Sequence, residues 1–250
     1  MSAAPLSVQL WTLRELIADD LPGTLHRLAD LGFTNVEPFR VRDSAGLGDA
    51  LRDAGLKAPT THQVFLRDGS IDEVAALAAS FGIGTVVDPV VAPEFWTTRD
   101  DVARTAERLN EAAVIAARHG VTVGYHNHAH EFLNEIDGRP ALEYFATLLA
   151  PEVVLEVDTY WVTVGGHDPV DVLGRLGDRV VAIHVKDGPG TTEKKDQVAV
   201  GSGSLPIPAI LDAAPNALRV IELDDCRTDR FQAVADSFAY LSGLDEGARA

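Results

Sequence analysis

The sequence contains a single cysteine, Cys226, and few basic residues relative to acidic ones. Its 250 residues include 21 Lys and Arg against 38 Asp and Glu, a formal net charge of −17 at pH 7. One cysteine cannot form an internal disulfide, which excludes a disulfide-stapled secreted scaffold. Because negative charge is repelled by phosphate backbones and anionic bilayers, we expect neither nucleic acid nor a membrane surface as a partner.

Long apolar runs are also missing. No stretch of roughly 18 or more uninterrupted apolar residues occurs, so no segment is expected to span a bilayer. The first six residues lack the basic region and apolar run of a secretory signal. We therefore expect a cytoplasmic protein.

A short apolar run followed by a segment with helical periodicity recurs eight times along the chain. The runs are rich in Val, Ile and Leu, as is typical of parallel strands covered by helices. The predicted strands are residues 7–11, 35–38, 57–61, 85–88, 122–126, 153–158, 180–185 and 219–223. The predicted helices are residues 22–31, 45–54, 71–81, 98–118, 140–149, 169–176, 206–214 and 230–241.

Eight strand–helix units in 250 residues predict an α/β fold, namely one (β/α)8 TIM barrel domain over residues 1–250. An open doubly wound sheet is the alternative, but residues 10–14 contain no glycine of a dinucleotide-binding fingerprint. The glycine-containing segment 187–205 is expected to be a mobile loop over one barrel mouth. Within it, residues 201–204 could present amides to a phosphate, or form a flexible loop.

Polar and ionisable residues cluster where the predicted strands end. In a barrel of this type, catalytic groups gather at the carboxyl ends of the strands. Charged groups buried there cost free energy unless they are paired or bind a cation. The residues concerned are Glu37, His62, Asp88, His126, Asn127, His128, Asp158, His184, Lys186, Glu222 and Asp224.

The fifth predicted strand ends in an unusual concentration of ionisable groups. His126 and His128 are two residues apart and can share one face of the strand, and Glu131 follows after a short turn. A polar loop whose histidines bond to the backbone is the alternative interpretation. Four ionisable groups within six residues favour a functional site.

The last three predicted strands also end in candidate residues. Asp158 is interpreted as a metal ligand, with a helix cap as the alternative. His184 and Lys186 share a face, so one could bind metal while the other meets an anionic substrate oxygen. Glu222 should enter the barrel mouth, and Trp161 could stack on an apolar sugar face or fill the rim.

These residues form a candidate metal site. Glu131 (or His126), Asp158, His184 and Glu222 offer mostly oxygen ligands with one imidazole. Such a set suits a divalent ion, Mn²⁺ or Mg²⁺ first, with Co²⁺ or Zn²⁺ as alternatives.

Nine short motifs follow one another along the chain. They are SVQLWTLRE at 7–15, GFTNVEPF at 32–39, TTHQ at 60–63, YHNHAHEF at 125–132, LEVDTYWV at 155–162, GGHDPV at 165–170, AIHVKDG at 182–188, IELDD at 221–225 and SFAYLSGL at 237–244. In this order they resemble the xylose-isomerase-like barrel superfamily, and within it the sugar phosphate isomerase/epimerase group. The resemblance covers nearly the whole chain and implies a (β/α)8 barrel with a divalent metal at its carboxyl mouth.

The resemblance implies a ligand set with one departure. Asp158, His184 and Glu222 match three of the four metal ligands of the ketose epimerases in this superfamily. The first ligand is a glutamate in those proteins, whereas this chain has His126 there. Either His126 binds the ion or Glu131 bends back to do so, and we favour Glu131.

The resemblance also implies substrate contacts. His62 is similar to a histidine that faces the substrate in the superfamily. Trp161 resembles the residue that follows the metal-binding aspartate. Lys186 resembles a polar group near the substrate. Glu37 and His126 are assigned to substrate binding as well.

By the same resemblance, the chain is expected to be a metal-dependent isomerase or epimerase of ketoses or keto-sugars that works through a metal-stabilised enediolate. Glu222 and Glu131 would exchange the proton, with His126, His128 or His62 serving where Glu131 does not reach. A lyase or dehydratase acting on keto-sugars or keto-inositols is the alternative enzyme, and a non-catalytic carbohydrate-binding barrel is the non-enzymatic one. The expected partner is a small sugar, and the chain could also assemble into a homo-oligomer.

Overall fold

The computed structural model describes residues 5–247. The predicted domain covers 1–250, and residues 1–4 and 248–250 of that range lie outside the described residues. Within the described part, no helix combines the length and apolar character that crossing a membrane requires.

The centre of the fold is a curled parallel sheet of seven strands, in the order β1-β9-β8-β7-β4-β3-β2. Strands β5 and β6 form a separate two-stranded antiparallel hairpin. The strands are β1 (Leu6–Val8), β2 (Thr60–His62), β3 (Thr85–Asp88), β4 (Thr122–His126), β5 (Glu135–Ile136), β6 (Arg139–Pro140), β7 (Val154–Asp158), β8 (Val180–Val185) and β9 (Leu218–Ile221).

The gap between β1 and β2 is closed by residues 35–39, where a strand was predicted at 35–38. This segment forms isolated parallel bridges rather than a regular strand: Gln9 pairs with Glu37, and Phe39 pairs with His62. Pro38 has no amide hydrogen to donate, which interrupts the ladder. The Glu37 amide still donates to the Val8 carbonyl at 2.8 Å. The barrel of the predicted fold class is therefore confirmed, with an irregular eighth position.

Helices cover the outside of the barrel. The eight predicted helices are present, and three short ones, α1, α6 and α8, were not predicted; α6 and α8 follow β4 and β7 closely and shape the mouth. The helices are α1 (Arg14–Asp19), α2 (Leu21–Leu31), α3 (Leu47–Asp53), α4 (Ile71–Ser80), α5 (Arg99–Ala116), α6 (His130–Leu133), α7 (Ala141–Leu148), α8 (Thr159–Val164), α9 (Pro169–Leu176), α10 (Ile207–Ala213) and α11 (Arg230–Gly247).

Side-chain alternation along the strands places polar groups above a small apolar layer. Ala182 and Val220 are buried together in one cluster, separate from the main apolar core between strands and helices. His184 lies two residues after Ala182 on β8, and Glu222 lies two residues after Val220, directly past the end of β9, so both continue the same face. The sequence of β8 and β9 thus directs these two side chains to the carboxyl mouth.

Candidate metal and substrate site

Glu156 is the centre of a buried cluster of histidines at this mouth. Its Oε1 atom lies 2.5 Å from His62 Nε2, 3.0 Å from His184 Nε2 and 3.1 Å from His126 Nδ1. All four residues are buried. Strands β2, β4, β7 and β8 each supply one of them, so the cluster exists only when the barrel is closed.

His184 connects this cluster to two further carboxylates. Its Nδ1 lies 2.7 Å from Glu222 Oε2, and its Nε2 lies 2.8 Å from Glu37 Oε1. Glu37 also accepts hydrogen bonds from Gln9 Nε2, at 2.7 Å, and from the Thr60 hydroxyl. Glu37 is therefore held on several sides in the interior of the barrel.

Lys186 is buried among three carboxylates. Its ammonium nitrogen lies 2.8 Å from Asp158 Oδ2, 2.8 Å from Glu222 Oε2 and 2.7 Å from Asp224 Oδ2. Gln197 holds Asp224 in place, because its side chain donates to Oδ2 at 2.9 Å and accepts from the Asp224 amide at 2.7 Å. Lys186 thus neutralises part of the negative charge that the strand ends bring together.

Contacts between opposite charges shift the pKa values of three buried groups further toward the charged form than burial shifts them toward the neutral form. Although burial opposes ionisation, Lys186 and His184 hold the pKa of Glu222 well below its usual value. His184 and His62 likewise hold the pKa of Glu156 well below its usual value against burial. Burial also opposes protonation of His184, but Glu156 and Glu222 raise its pKa well above the ordinary value. The charged forms of His184, Glu156 and Glu222 therefore stabilise one another. Burial, by contrast, lowers the pKa of His126 and raises the pKa of Glu37.

Two overlapping groups of side chains could hold a metal ion. One is His62, His126, Glu156 and His184; the other is His126, Asp158, His184 and Glu222. In each group, one ligand atom from every residue lies within 4.8 Å of the others.

The donors fit a divalent cation. Imidazole and carboxylate are ligands of such ions, and binding would displace the protons that the cluster now holds. The buried Glu156 Oε2 makes no hydrogen bond among the described residues, so it is an oxygen available to a cation. Lys186 contacts Asp158 and Glu222 of the second group, which means that its ammonium and an ion would compete for these carboxylates, with Asp224 remaining as its partner.

The structure does not bring Glu131 into this cluster. Glu131 is buried in α6, where the Tyr125 hydroxyl donates to Oε1 at 2.6 Å and the His128 amide donates to Oε2 at 2.9 Å. Burial raises its pKa to about 7. Glu131 belongs to neither group of candidate ligands, whereas His126 belongs to both. The ligand and base roles expected of Glu131 stay predictions, and the geometry favours the alternative, His126.

A cavity of about 300 Å³ opens above the cluster. Of the residues assigned to substrate or catalysis, five line it: His62, His126, His128, Lys186 and Glu222. The Nδ1 of His128 is buried without a hydrogen bond among the described residues. Trp161 is buried beside the site, with Lys186 and Lys194 above its ring at 5.8 and 5.7 Å from the centroid.

Asp158 combines the two interpretations given for it. Its Oδ1 accepts from the Trp161 amide at 3.0 Å and caps α8, while its Oδ2 faces Lys186. The helix cap is therefore formed by Oδ1, and the role of Asp158 as a metal ligand stays a prediction that would use Oδ2.

Glu156 received no role from the sequence, although it is central to the site. The available signal was its position two residues before Asp158, which places both on the same face of β7. Asp224 was named among the strand-end residues but received no role, because nothing local predicts its contact with Lys186.

The segment 187–205, expected to be mobile, is tied to one buried carboxylate. Asp187 Oδ1 accepts from the amides of Gly188 and Leu205 at 2.8 and 3.1 Å, and Oδ2 accepts from those of Gly201 and Gly203 at 2.9 and 3.0 Å. The amides suggested for a phosphate at 201–204 are thus occupied at both glycines. A Cβ on Gly203 would lie 2.2 Å from Asp187 Oδ1, so this position requires glycine.

Comparison with known proteins agrees with this architecture. The chain is 29% identical over 163 residues to inosose dehydratase of Geobacillus kaustophilus, a match that spans 60% of this chain and 52% of the relative. A sugar phosphate isomerase/epimerase from Parabacteroides distasonis superposes with a TM-score of 0.79 at 23% identity, covering 96% of this chain and 94% of the other. The IolI protein with a bound zinc atom superposes with a TM-score of 0.69 at 16% identity, covering 96% and 97%.

A match to a family profile shows to which protein family the chain belongs. The profile of the xylose isomerase-like TIM barrel matches residues 25–218, which is most of the chain and includes four of the five strands that carry the cluster. The chain belongs to the xylose isomerase-like TIM barrel family.

Proposed function

We propose that this protein is a divalent-metal-dependent isomerase or epimerase of ketoses or keto-sugars. The observation that carries the proposal is the convergence of His126, Asp158, His184 and Glu222, whose ligand atoms lie within 4.8 Å of one another. These four residues are the proposed metal ligands. The family and its sugar-modifying members support a small sugar as the substrate.

Mn²⁺ is the proposed ion, with Mg²⁺, Co²⁺ and Zn²⁺ as alternatives. Two carboxylates and two imidazoles are compatible with all four, and the second imidazole makes Mg²⁺ the least favoured. The zinc atom in the IolI structure supports a metal in this fold but does not select the ion here.

The bound ion would supply positive charge that lowers the free energy of an enediolate formed from the sugar. The side chains of this protein would move the proton. Glu222 lines the mouth and is the proposed base on one side of the reacting carbon. His62 lines the same mouth, and its contact with Glu156 orients its imidazole, so it is the proposed acid–base group on the other side. Lys186 is placed to donate to a substrate oxygen.

Dehydration is the second candidate. It requires the same removal of a proton next to a carbonyl, followed by protonation of a departing hydroxyl. The ammonium of Lys186 and the imidazole of His128 both line the mouth and could deliver that proton. The likeness to an inosose dehydratase supports this candidate over part of the chain.

Two measurements test the proposal. Elemental analysis of the purified protein should find about one divalent ion per chain; a protein that binds no Mn²⁺, Co²⁺, Zn²⁺ or Mg²⁺ would instead indicate a non-catalytic carbohydrate-binding barrel. The metal-loaded protein is then incubated with a panel of ketoses and keto-sugars in deuterated water. Deuterium in a recovered or isomerised sugar supports the isomerase, whereas loss of water from the sugar identifies the dehydratase. Absence of both reactions across the panel would contradict the proposal.

A further inference from the structure

A second cavity of about 360 Å³ lies directly beside the mouth. We call it the side groove, and define it by Val64, Leu66, Val90, Val91 and Phe95, with Arg67 and Arg108 also in its lining. Val64 and Val90 line both the side groove and the mouth cavity. The two cavities are therefore adjacent, and Val64 and Val90 form part of the boundary between them.

The side groove exposes apolar surface that the fold leaves uncovered. Val90 is 44% exposed and Phe95 43% exposed. Among the described residues, four large hydrophobic side chains are exposed, and these two share one cavity while the other two, Val114 and Leu133, lie elsewhere. Exposed apolar surface that is grouped and edged by polar residues marks a binding site more often than scattered exposure does.

A single buried carboxylate holds two of the segments that line the side groove. Asp88 Oδ2 accepts from the amides of Phe65 and Leu66 at 2.9 and 2.8 Å, and Oδ1 accepts from the Val90 amide at 3.2 Å. The loop after β2 and the loop after β3 are thus held at a defined separation. A groove built in this way binds without the free-energy cost of ordering its walls. This gives Asp88 a structural role in place of a chemical one.

We propose that the side groove binds the aromatic aglycone of a glycoside whose sugar lies in the mouth. The proposal rests on the proposed function and narrows its substrate class to aryl glycosides of keto-sugars, in which a ring carbonyl stays free while the anomeric carbon carries the aglycone. The apolar lining suits an aromatic ring, and the guanidinium groups of Arg67 and Arg108 suit ring stacking or a phenolic oxygen.

The size of the cavity favours this occupant over a second protein. A volume of about 360 Å³ falls in the range of small-molecule pockets, roughly 300–1,000 Å³. A stable protein interface needs about 800 Å² from each partner, far more than two half-exposed apolar side chains provide.

The test compares two unreactive glycosides that differ in the aglycone. Affinities of 4-nitrophenyl β-D-glucopyranoside and methyl β-D-glucopyranoside are measured by titration calorimetry on the Mn²⁺-loaded protein. We expect the aryl glycoside to bind at least tenfold more tightly. In Phe95→Ser this preference should fall to about twofold or less, with the affinity for the methyl glycoside unchanged. Val114→Ser, a matched loss of an exposed apolar side chain outside the side groove, should behave as the wild type.

Three outcomes would overturn the proposal. They are equal affinity for the two glycosides, no binding of the aryl glycoside, and a preference that survives Phe95→Ser in a variant with an unchanged melting temperature. Light scattering adds a fourth: a wild-type dimer that Phe95→Ser converts to monomer would identify a second copy as the occupant. The calorimetric titrations measure binding and no turnover. A failed deuterium-exchange assay would therefore reject the proposed reaction, while the proposal that the side groove binds an aglycone would still be decided by the titrations.

Discussion

Two sets of buried carboxylates lie at the carboxyl ends of the strands, and they differ in what they face. Asp88 and Asp187 accept from backbone amides, three in the first case and four in the second. Glu156 and Glu222 instead face histidines, with Lys186 also against Glu222. The residue types, burial and positions on the strands are similar, so only the partners separate the two sets.

The partners decide what each set can do. A carboxylate that accepts three or four hydrogen bonds from backbone amides fixes a loop and leaves at most one of its about four acceptor positions for a ligand. A carboxylate that faces imidazoles and an ammonium has partners that can move or lose a proton, so a cation can replace them. Glu131 resembles the first set, since a hydroxyl and an amide occupy its two oxygens.

The largest effect on stability should come from Asp187→Ala. This change leaves four amides in the segment 187–205 without their acceptor, and each unsatisfied buried group costs about 1–3 kcal/mol. Allowing for water that enters the loop, we expect the free energy of unfolding to fall by about 3–5 kcal/mol in urea titrations. Metal affinity should change by less than tenfold in the folded protein. An unfolding curve like that of the wild type would show that the amides have other acceptors.

Asp158→Ala should change metal affinity more than it changes the stability of the protein. Loss of a proposed ligand is expected to weaken Mn²⁺ binding at least ~100-fold in calorimetry, about 2.7 kcal/mol. The stability of the metal-free protein should fall by about 1–3 kcal/mol, because α8 loses its cap and Lys186 loses one of its three carboxylate partners. Wild-type affinity for Mn²⁺ in this variant would remove Asp158 from the site.

The comparison is sharpest between His126 and Glu131, the two candidates for the fourth ligand. His126→Ala should lower Mn²⁺ affinity by about 10–100-fold, and Glu131→Ala by less than tenfold, because Glu131 faces away from the cluster. Metal content after dialysis against a fixed concentration of free Mn²⁺ measures both. The opposite ranking would restore Glu131 as the ligand.

The smallest predicted effect is a pH dependence of stability at Glu131. Its pKa is raised by burial to about 7, with Tyr125, His130 and Asp158 as the ionisable groups around it. The folded state therefore keeps a proton that the unfolded state loses at lower pH, so this contribution to stability is present below about pH 4.5 and is lost as the pH rises through 7.

The glutamine in Glu131→Gln cannot ionise. The difference in the free energy of unfolding between wild type and variant therefore measures the pH-dependent contribution of Glu131. Between pH 5 and 8, the free energy of unfolding of the wild type should fall by on the order of 2 kcal/mol relative to the variant. Urea titrations at both values measure it. A constant difference would mean that Glu131 is ionised throughout this range.

Much of the fold and part of the site could be predicted from sequence. Apolar runs and helical periodicity predicted the barrel, because each strand must bury both faces and each helix one face. Asp158, His184 and Glu222 were located because strand ends in this fold meet at one mouth. The three short helices were missed, since segments of four to six residues carry little periodic signal.

The sequence by itself determined the order of strands and helices and which residues stand at the strand ends, because these follow from local periodicity. Tertiary structure decided which of these residues meet. Whether Glu131 or His126 enters the cluster depends on how α6 turns after β4, and Lys186 finds Asp224 only when β8 and β9 lie side by side. The closure of the barrel through residues 35–39 and the anchoring of residues 187–205 on Asp187 are likewise long-range. Such contacts join residues distant in sequence, so no local pattern encodes them.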